Sequence, residues 1–193
     1  MYLSKIFNFN LLKIKEPKTL SHIHGVFVKI NGKGVLIIGS SGIGKSEVAL
    51  DLIYRGHKLI ADDSVVFYKN NQNILIGRAP SLLKNLMEVR GLGVLNIQKL
   101  FGYKSITTKE KLFLVVELIP SKKIISCPRL EMKIDFFKLF DVAIPKIEFP
   151  MNQTRHVSLL IETAVKNFIL LNKRSNTMKE FSKKLSLQLS LDH

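Results

Sequence analysis

The eight residues Gly39-Ser40-Ser41-Gly42-Ile43-Gly44-Lys45-Ser46 restrict what this chain can fold into more than any other stretch. They fit G-x-x-x-x-G-K-[ST], the phosphate-binding P-loop, a motif that needs a strand before it and a helix after it. Both flanks are present: Val35-Leu36-Ile37-Ile38 reads as a buried strand, and Glu47 to Arg55 carries a helical pattern. Glycines in such a loop let backbone N–H groups turn inward around phosphate oxygens, and the helix that follows aims its positive end at the same point. Lys45 then offers a point charge to the β- and γ-phosphates, and the Ser46 hydroxyl is placed to ligate Mg²⁺. The plainer alternative is a glycine-rich strand-to-helix turn without a ligand. The complete motif in its required context favours nucleotide binding.

Upstream, His22-Ile23-His24-Gly25 precedes the alternating, β-rich run Val26 to Ile30. Asn31-Gly32 is a hairpin signal that returns the chain into the Val35 strand. The hairpin brings His24 near the start of the P-loop. A histidine there either touches the nucleotide or reacting phosphate, or is a satisfied structural side chain.

Downstream, Val48, Ala49, Leu52 and Ile53 share one helical face, and Gly56 fits the C′ position that ends a helix. His57 to Ala61 is then a short strand that delivers Asp62-Asp63. A carboxylate at the C-terminal end of a strand beside a P-loop is where α/β nucleotide sites take a metal ligand or a base. Two adjacent aspartates point in different directions, so one can serve chemistry while the other supports a metal; the competing reading is an Asp-Asp turn before Val65 to Tyr68.

Asn70 to Asn73 reads as a turn into Ile74-Leu75-Ile76, and Pro80 opens a short helical piece, Ser81 to Met87. In Glu88-Val89-Arg90-Gly91-Leu92-Gly93, a strand would put Glu88 and Arg90 on one face. That is either a metal-ligating glutamate beside a phosphate-reading arginine, or a solvent ion pair. Leu112 to Ile119 is a strand, apolar on both faces except at Glu117. Residues 121–142 are basic and give no assignment; within them Cys127 reads as a buried apolar filler. Pro145 to Pro150 reads as a strand bracketed by prolines, followed by a polar loop, Met151 to His156, that carries Arg155. Val157, Leu160, Ile161, Ala164, Val165, Phe168 and Leu171 recur at helical spacing. Thr177-Met178-Lys179-Glu180 looks like a capping box before a second, lysine-rich helix. No repeat or linker splits the chain, so the expectation is a single domain over 1–193, with 1–20 as an N-terminal arm and 157–190 as C-terminal helices.

One cysteine in 193 residues excludes a disulfide framework and a cysteine zinc site within the chain, and points to a reducing, cytoplasmic setting. No apolar run approaches about 18 residues, so no membrane-spanning helix is expected. The N-terminus shows no sustained apolar segment of a secretory signal. A net charge of +15 suits solubility or a polyanionic partner. Its basic residues are scattered and lack an RNA-binding signature, so nucleic acid is not expected as a partner.

Taken together, these stretches resemble the C-terminal catalytic domain of HPr kinase/phosphorylase. The resemblance rests on His24-Gly25, the P-loop followed by Glu47, the run Arg55 to Asp63, the signature Glu88 to Gly93, Ile144-Pro145-Lys146-Ile147, and the loop ending in Arg155. These blocks come in the family's order over about residues 22–170. The resemblance implies an α/β fold with a P-loop core like that of phosphoenolpyruvate carboxykinase, a mixed sheet with hairpins, a helix after the P-loop and a helical C-terminus. It implies an ATP- and Mg²⁺-dependent kinase that phosphorylates a serine of HPr, the phosphocarrier of the sugar phosphotransferase system. It also implies removal of that phosphate with inorganic phosphate, releasing pyrophosphate, and a homo-oligomer, commonly a hexamer.

Carried over residue by residue, Asp62 would be the base in phosphorylation and, protonated, the acid in dephosphorylation. Lys45 and the loop Gly39 to Ser46 would hold the nucleotide's phosphates, and Ser46 and Glu88 would ligate Mg²⁺. His24 and Arg129 would line the reacting phosphate. Asp63 would stand near the metal, and Arg90 and Arg155 would position substrate or phosphates. Three departures from the family pattern stand out. The family's N-terminal domain has no counterpart, which implies a short form. Gln153-Thr154 replaces a Pro-Gly pair before Arg155, and Pro128 and Glu131 flank Arg129-Leu130. Two other readings stay open: a P-loop kinase acting on a different protein or small molecule, and a non-catalytic nucleotide-dependent regulator. The presence of Asp62, Glu88 and Lys45 together argues against the regulator, which has no physical need for a base.

Overall fold

The computed structural model describes residues 19–120, 134–151 and 156–172. In chain order they form β1 (Leu20–His24), β2 (Val26–Ile30), β3 (Lys33–Gly39), α1 (Lys45–Tyr54), β4 (Lys58–Ala61), β5 (Ser64–Lys69) and β6 (Leu75–Arg78). There follow β7 (Leu86–Val89), β8 (Gly93–Asn96), α2 (Ile97–Phe101), β9 (Lys109–Pro120), β10 (Asp135–Leu139), β11 (Val142–Met151) and α3 (Val157–Asn172). The result is the mixed α/β architecture that the sequence implies.

Nine strands form one mixed sheet along the path β1-β5-β6-β9-β3-β2-β4, with β11 also paired to β9 and β10 to β11. β9 is its long spine. It runs antiparallel to β6 at its start, then parallel to both β3 and β11. The β2–β3 hairpin turns at Asn31 and Gly32, both at positive φ (48° and 79°), as a two-residue turn of this kind needs. β7 and β8 form a separate two-stranded hairpin.

Alternation along the strands gives the sheet two buried faces. Val26, Val28, Ile30, Val35 and Ile37 pack against Val48, Ala49, Leu52 and Ile53 of α1 and Val157, Ile161, Val165 and Phe168 of α3. Phe27, Leu36 and Val115 point the other way and join Val65, Phe67 and Leu75. Gly34 pairs with Leu112 while Val35 pairs with Leu114, so Phe113 is the extra residue of a bulge. That extra residue moves Leu112 to one core and Leu114 to the other. Phe113 itself meets Phe168 of α3 edge-on, with ring centroids 5.5 Å apart.

α3 also meets α1 through polar groups. Ser158 donates to Asp51, which also accepts from Arg55. Glu162 accepts from Lys166 at 2.7 Å and stands 3.7 Å from the buried His57 Nε2. Burial pushes the His57 imidazole down, against the raising influence of Glu162.

The structure differs from the sequence reading at several points. Only Ser81–Leu83 makes a helical turn, of the 3₁₀ kind. Lys84 is extended and Asn85 left-handed (φ 64°), which ends the turn and lets Met87 enter a strand. Arg90 lies in the connection after β7, not in the strand, so it shares no strand face with Glu88. Within 121–142, residues 135–139 form β10, which reverses through Phe140 and Asp141, both at positive φ. β11 extends past both prolines of the expected strand. Among the described residues each half of β11 has a partner on one side only, an edge where a missing N–H is tolerated. The expected arm (apart from its end), Cys127 and the capping box at Thr177 lie outside the described residues.

Gly77 tests the second core. A Cβ there would fall 2.5 Å from the Phe67 ring and 2.6 Å from that of Phe27. Gly77→Ala is expected to cost about 1–3 kcal/mol in urea unfolding. A change under about 0.5 kcal/mol would show that this packing is not formed.

Candidate active site

The P-loop crosses from β3 to α1 and its glycines are needed where they stand. Gly42 is left-handed (φ 73°), and a Cβ on it would sit 3.1 Å from the Arg90 guanidinium. Gly44, at φ 103°, is the N-cap of α1. Lys45 folds back along the loop and donates to the carbonyls of Gly39 and Ser40, at 3.1 and 3.0 Å. Ile43 packs against the core, and its N–H donates to the Ser40 carbonyl.

The next helical residue, Ser46, donates through Oγ to Oδ1 of Asp62 at 3.1 Å. Asp62 directly follows β4 and is 3% exposed. Its Oδ2 accepts the Glu88 N–H at 2.9 Å, so the start of α1, the end of β4 and β7 meet on one carboxylate. Burial holds that carboxyl above the usual carboxylate range; the Glu88 N–H, Ser46 and the Asp63 N–H pull it down, and the Asp63 charge pushes it up.

Asp63 points elsewhere. It is exposed and left-handed, at φ 62°. Its carbonyl accepts from the Gly25 N–H at 3.2 Å and lies 3.0 Å from His24 Nδ1, which is also 3.1 Å from Asp63 Oδ1. A carbonyl can only accept, so Nδ1 carries the proton and Nε2 is left as the ring's other position.

His24, Lys45, Ser46, Asp62, Asp63, Glu88 and Arg90 all line one open cleft of about 410 Å³, together with Ser41, Gly42 and Gly44 of the loop. Gly39 and Ser40 contribute through their bonds to Lys45. Arg129 and Arg155 lie outside the described residues. Glu47 also lines the cleft, though its sequence signal was only its place after the motif. A carboxylate in the first turn of a helix complements the positive end of the dipole.

The donor set fits a hard cation. Among the described residues no group of three His, Cys, Asp or Glu side chains could hold a metal ion. The Ser46 hydroxyl and the exposed Glu88 carboxylate are oxygen donors facing the same cleft. Asp62 accepts the Ser46 proton and so leaves the hydroxyl lone pairs available. A magnesium ion held by one or two protein oxygens takes its other positions from phosphates and water.

A loop of the P-loop sequence pattern, set between strand and helix and bonded through Ser46 to a buried carboxylate, lies in an α/β protein with a mixed sheet. More narrowly, the chain belongs to the HPr kinase family: residues 17–185 match the HPr Serine kinase C-terminal domain. HPr kinase/phosphorylase 1 of Oceanobacillus iheyensis is 44% identical over 167 residues, covering 86% of this chain and 54% of that protein. HPr kinase/phosphorylase of Geobacter sulfurreducens is 40% identical over 183 residues, covering 94% of this chain and 57% of that protein. The chain thus spans about half the length of these curated relatives. The solved structure of the Hpr(Ser) kinase/phosphatase from Coxiella burnetii is similar at a TM-score of 0.76 and 33% identity, covering 83% of this chain and 98% of that one.

The raised affinity of Asp62 for a proton has a consequence for stability. The folded state binds that proton more tightly than the unfolded chain does, so the ionised group disfavours the fold at neutral pH. The penalty fades as pH falls through the folded value and is gone below the ordinary carboxylate range. Asp62→Asn keeps both contacts, its oxygen accepting from Glu88 and its amide donating to Ser46. The variant is therefore expected to melt above the unaltered chain at pH 7 and to lose that margin near pH 3. A lower melting temperature at pH 7 would contradict the buried, raised carboxyl.

Proposed function

We propose that this chain transfers the γ-phosphoryl group of ATP to a serine of the phosphocarrier protein HPr, and runs the reverse attack of inorganic phosphate on the seryl phosphate. The single observation that carries the reading is Asp62: a buried carboxyl with raised proton affinity, in the P-loop cleft and bonded to the residue after the P-loop lysine. The names of the relatives support the acceptor.

In the forward direction the serine hydroxyl gives its proton to Asp62 as its oxygen bonds to phosphorus and the bridging oxygen leaves with ADP. The Asp62 oxygens accept from Ser46 and Glu88, and a carboxylate's two oxygens have further lone-pair positions to take that proton. In reverse, phosphate oxygen bonds to the seryl phosphorus, pyrophosphate leaves the site, and protonated Asp62 returns its proton to the serine oxygen. A carboxyl raised above its usual range suits both roles. Lys45 exchanges its two loop carbonyls for β- and γ-phosphate oxygens. Ser46 and Glu88 would hold Mg²⁺, which would supply positive charge against the phosphates. His24 Nε2, Arg90, Arg129 and Arg155 position the transferred group and the acceptor, and Asp63 orients His24. A cytoplasmic location and a homo-oligomer, hexameric by family resemblance, belong to the same proposal, supported by that resemblance alone.

Transfer from γ-labelled ATP with Mg²⁺ to purified HPr tests the reading. Label should appear on a serine, and Asp62→Asn should reduce it about 10²–10⁴-fold while nucleotide affinity stays near that of the unaltered chain. Nucleotide binding without label on HPr would move the search to other acceptors. Separately, Glu88→Ala should shift the Mg²⁺ titration of the transfer to higher concentration, and an unaltered titration would remove Glu88 from the metal.

A further inference from the structure

One rim of the cleft is apolar in a way that phosphate chemistry does not use. The β7–β8 hairpin gives Glu88, Arg90, Gly91 and Gly93 to the cleft lining. Among them stand Leu92, 64% exposed, and Val94, 66% exposed. Strand pairing sets Val94 directly opposite Glu88, on the hairpin face away from the core that Met87 and Val89 enter. Leu92 occupies the connection, its N–H bonded to the Val89 carbonyl at 3.0 Å, so its backbone is held in place. Two aliphatic side chains are thus presented to water beside two charged cleft residues.

A protein acceptor has to cover this rim. Reacting atoms must approach to about 3–3.5 Å, and a serine side chain is one carbon long. Delivering its oxygen into the cleft brings the acceptor's main chain, and the residues flanking the serine, down onto the surrounding surface. His24 and Asp63, which also line the cleft, are polar, so the hairpin is where apolar flanks can be buried. Charge narrows the partner further. From Ser81 to Ser105 the exposed charged side chains are Lys84, Arg90, Lys99 and Lys104 against Glu88 alone, which favours a neutral to acidic face.

We propose that Leu92 and Val94 form the docking contact for the acceptor protein, burying an apolar side chain adjacent to its phosphorylatable serine. The inference rests on the kinase reading above and deepens it by naming what the site recognises besides the serine.

The test uses the full chain with Leu92→Gln, Val94→Thr and the double variant, with HPr as acceptor and saturating MgATP. Threonine keeps the β-branched shape, so the strand is retained, and melting and nucleotide affinity report that fold and loop are intact. The expected result is a rise in KM for HPr of about tenfold per side chain, with kcat near that of the unaltered chain and recovery in Val94→Ile. An unchanged KM in the double variant overturns the inference and leaves the kinase reading standing. So does a rise in KM that sedimentation traces to a changed assembly state, because the hairpin then contacts a second copy of this chain. No label on HPr with the unaltered chain overturns the kinase reading, and this inference with it.

Discussion

The tie on which the site depends is the Asp62 carboxylate. One oxygen is bonded to Ser46 at the start of α1, the other to the Glu88 N–H in β7, and the main-chain carbonyl accepts from Ser64 at the start of β5. Burying a carboxylate costs several kcal/mol unless hydrogen bonds compensate. Bonds to a charged acceptor return roughly 1.5–3 kcal/mol each, and part of the desolvation cost remains. That remainder is what raises the proton affinity of Asp62. The same burial that strains stability at neutral pH therefore gives the group the property an acid–base catalyst needs.

Holding that tie in place is the work of the two-faced sheet. β3 ends in the P-loop, and on β9 its residue Gly39 is in register with Leu118. β2 runs between β3 and β4, so the strand that delivers Asp62 and the strand that delivers the P-loop are separated by a single buried neighbour. α1 is packed against the same sheet face as α3. Close packing of this kind resists displacement, because moving one side chain disturbs its neighbours. Asp62 and the start of α1 are thereby held in place by the core.

Much of this was legible in the sequence because the signals were local. Asn31-Gly32 encodes a turn that needs two positive φ values, and Gly56 a helix end. Position marked only the pair Asp62-Asp63, at the end of a short strand after the P-loop helix; the family resemblance, not the spacing, singled out Asp62. The missed features depend on partners distant in the chain. β10 carries no alternating apolar pattern that stands out from 121–142, and its turn uses Phe140 at positive φ, where a bulky residue gives no warning. The Ser81 helix failed at Asn85, whose left-handed backbone is stabilised by tertiary bonds from Ile97 and to Gln98. Arg90 was placed in a strand by spacing, yet it reaches the P-loop through the connection beyond that strand. That Asp62 bonds the Glu88 backbone could not be read at all, since no sequence pattern marks a main-chain donor.

Charge in the cleft runs opposite to charge in the chain. The whole sequence carries +15, but the described lining holds Glu47, Asp62, Asp63 and Glu88 against Lys45 and Arg90 as permanent cations. A polyphosphate entering this lining alone would meet more carboxylate than positive charge. Accompanied by a divalent cation, it would bring the neutralising charge with it, and the Glu88 carboxylate would face a cation in place of a bare anion. The long-range field of the basic surface still draws anions toward the protein. Attraction at a distance and discrimination at contact would then fall to different residues: the scattered lysines would draw an anion in, and the acidic lining would favour one that arrives with a divalent cation.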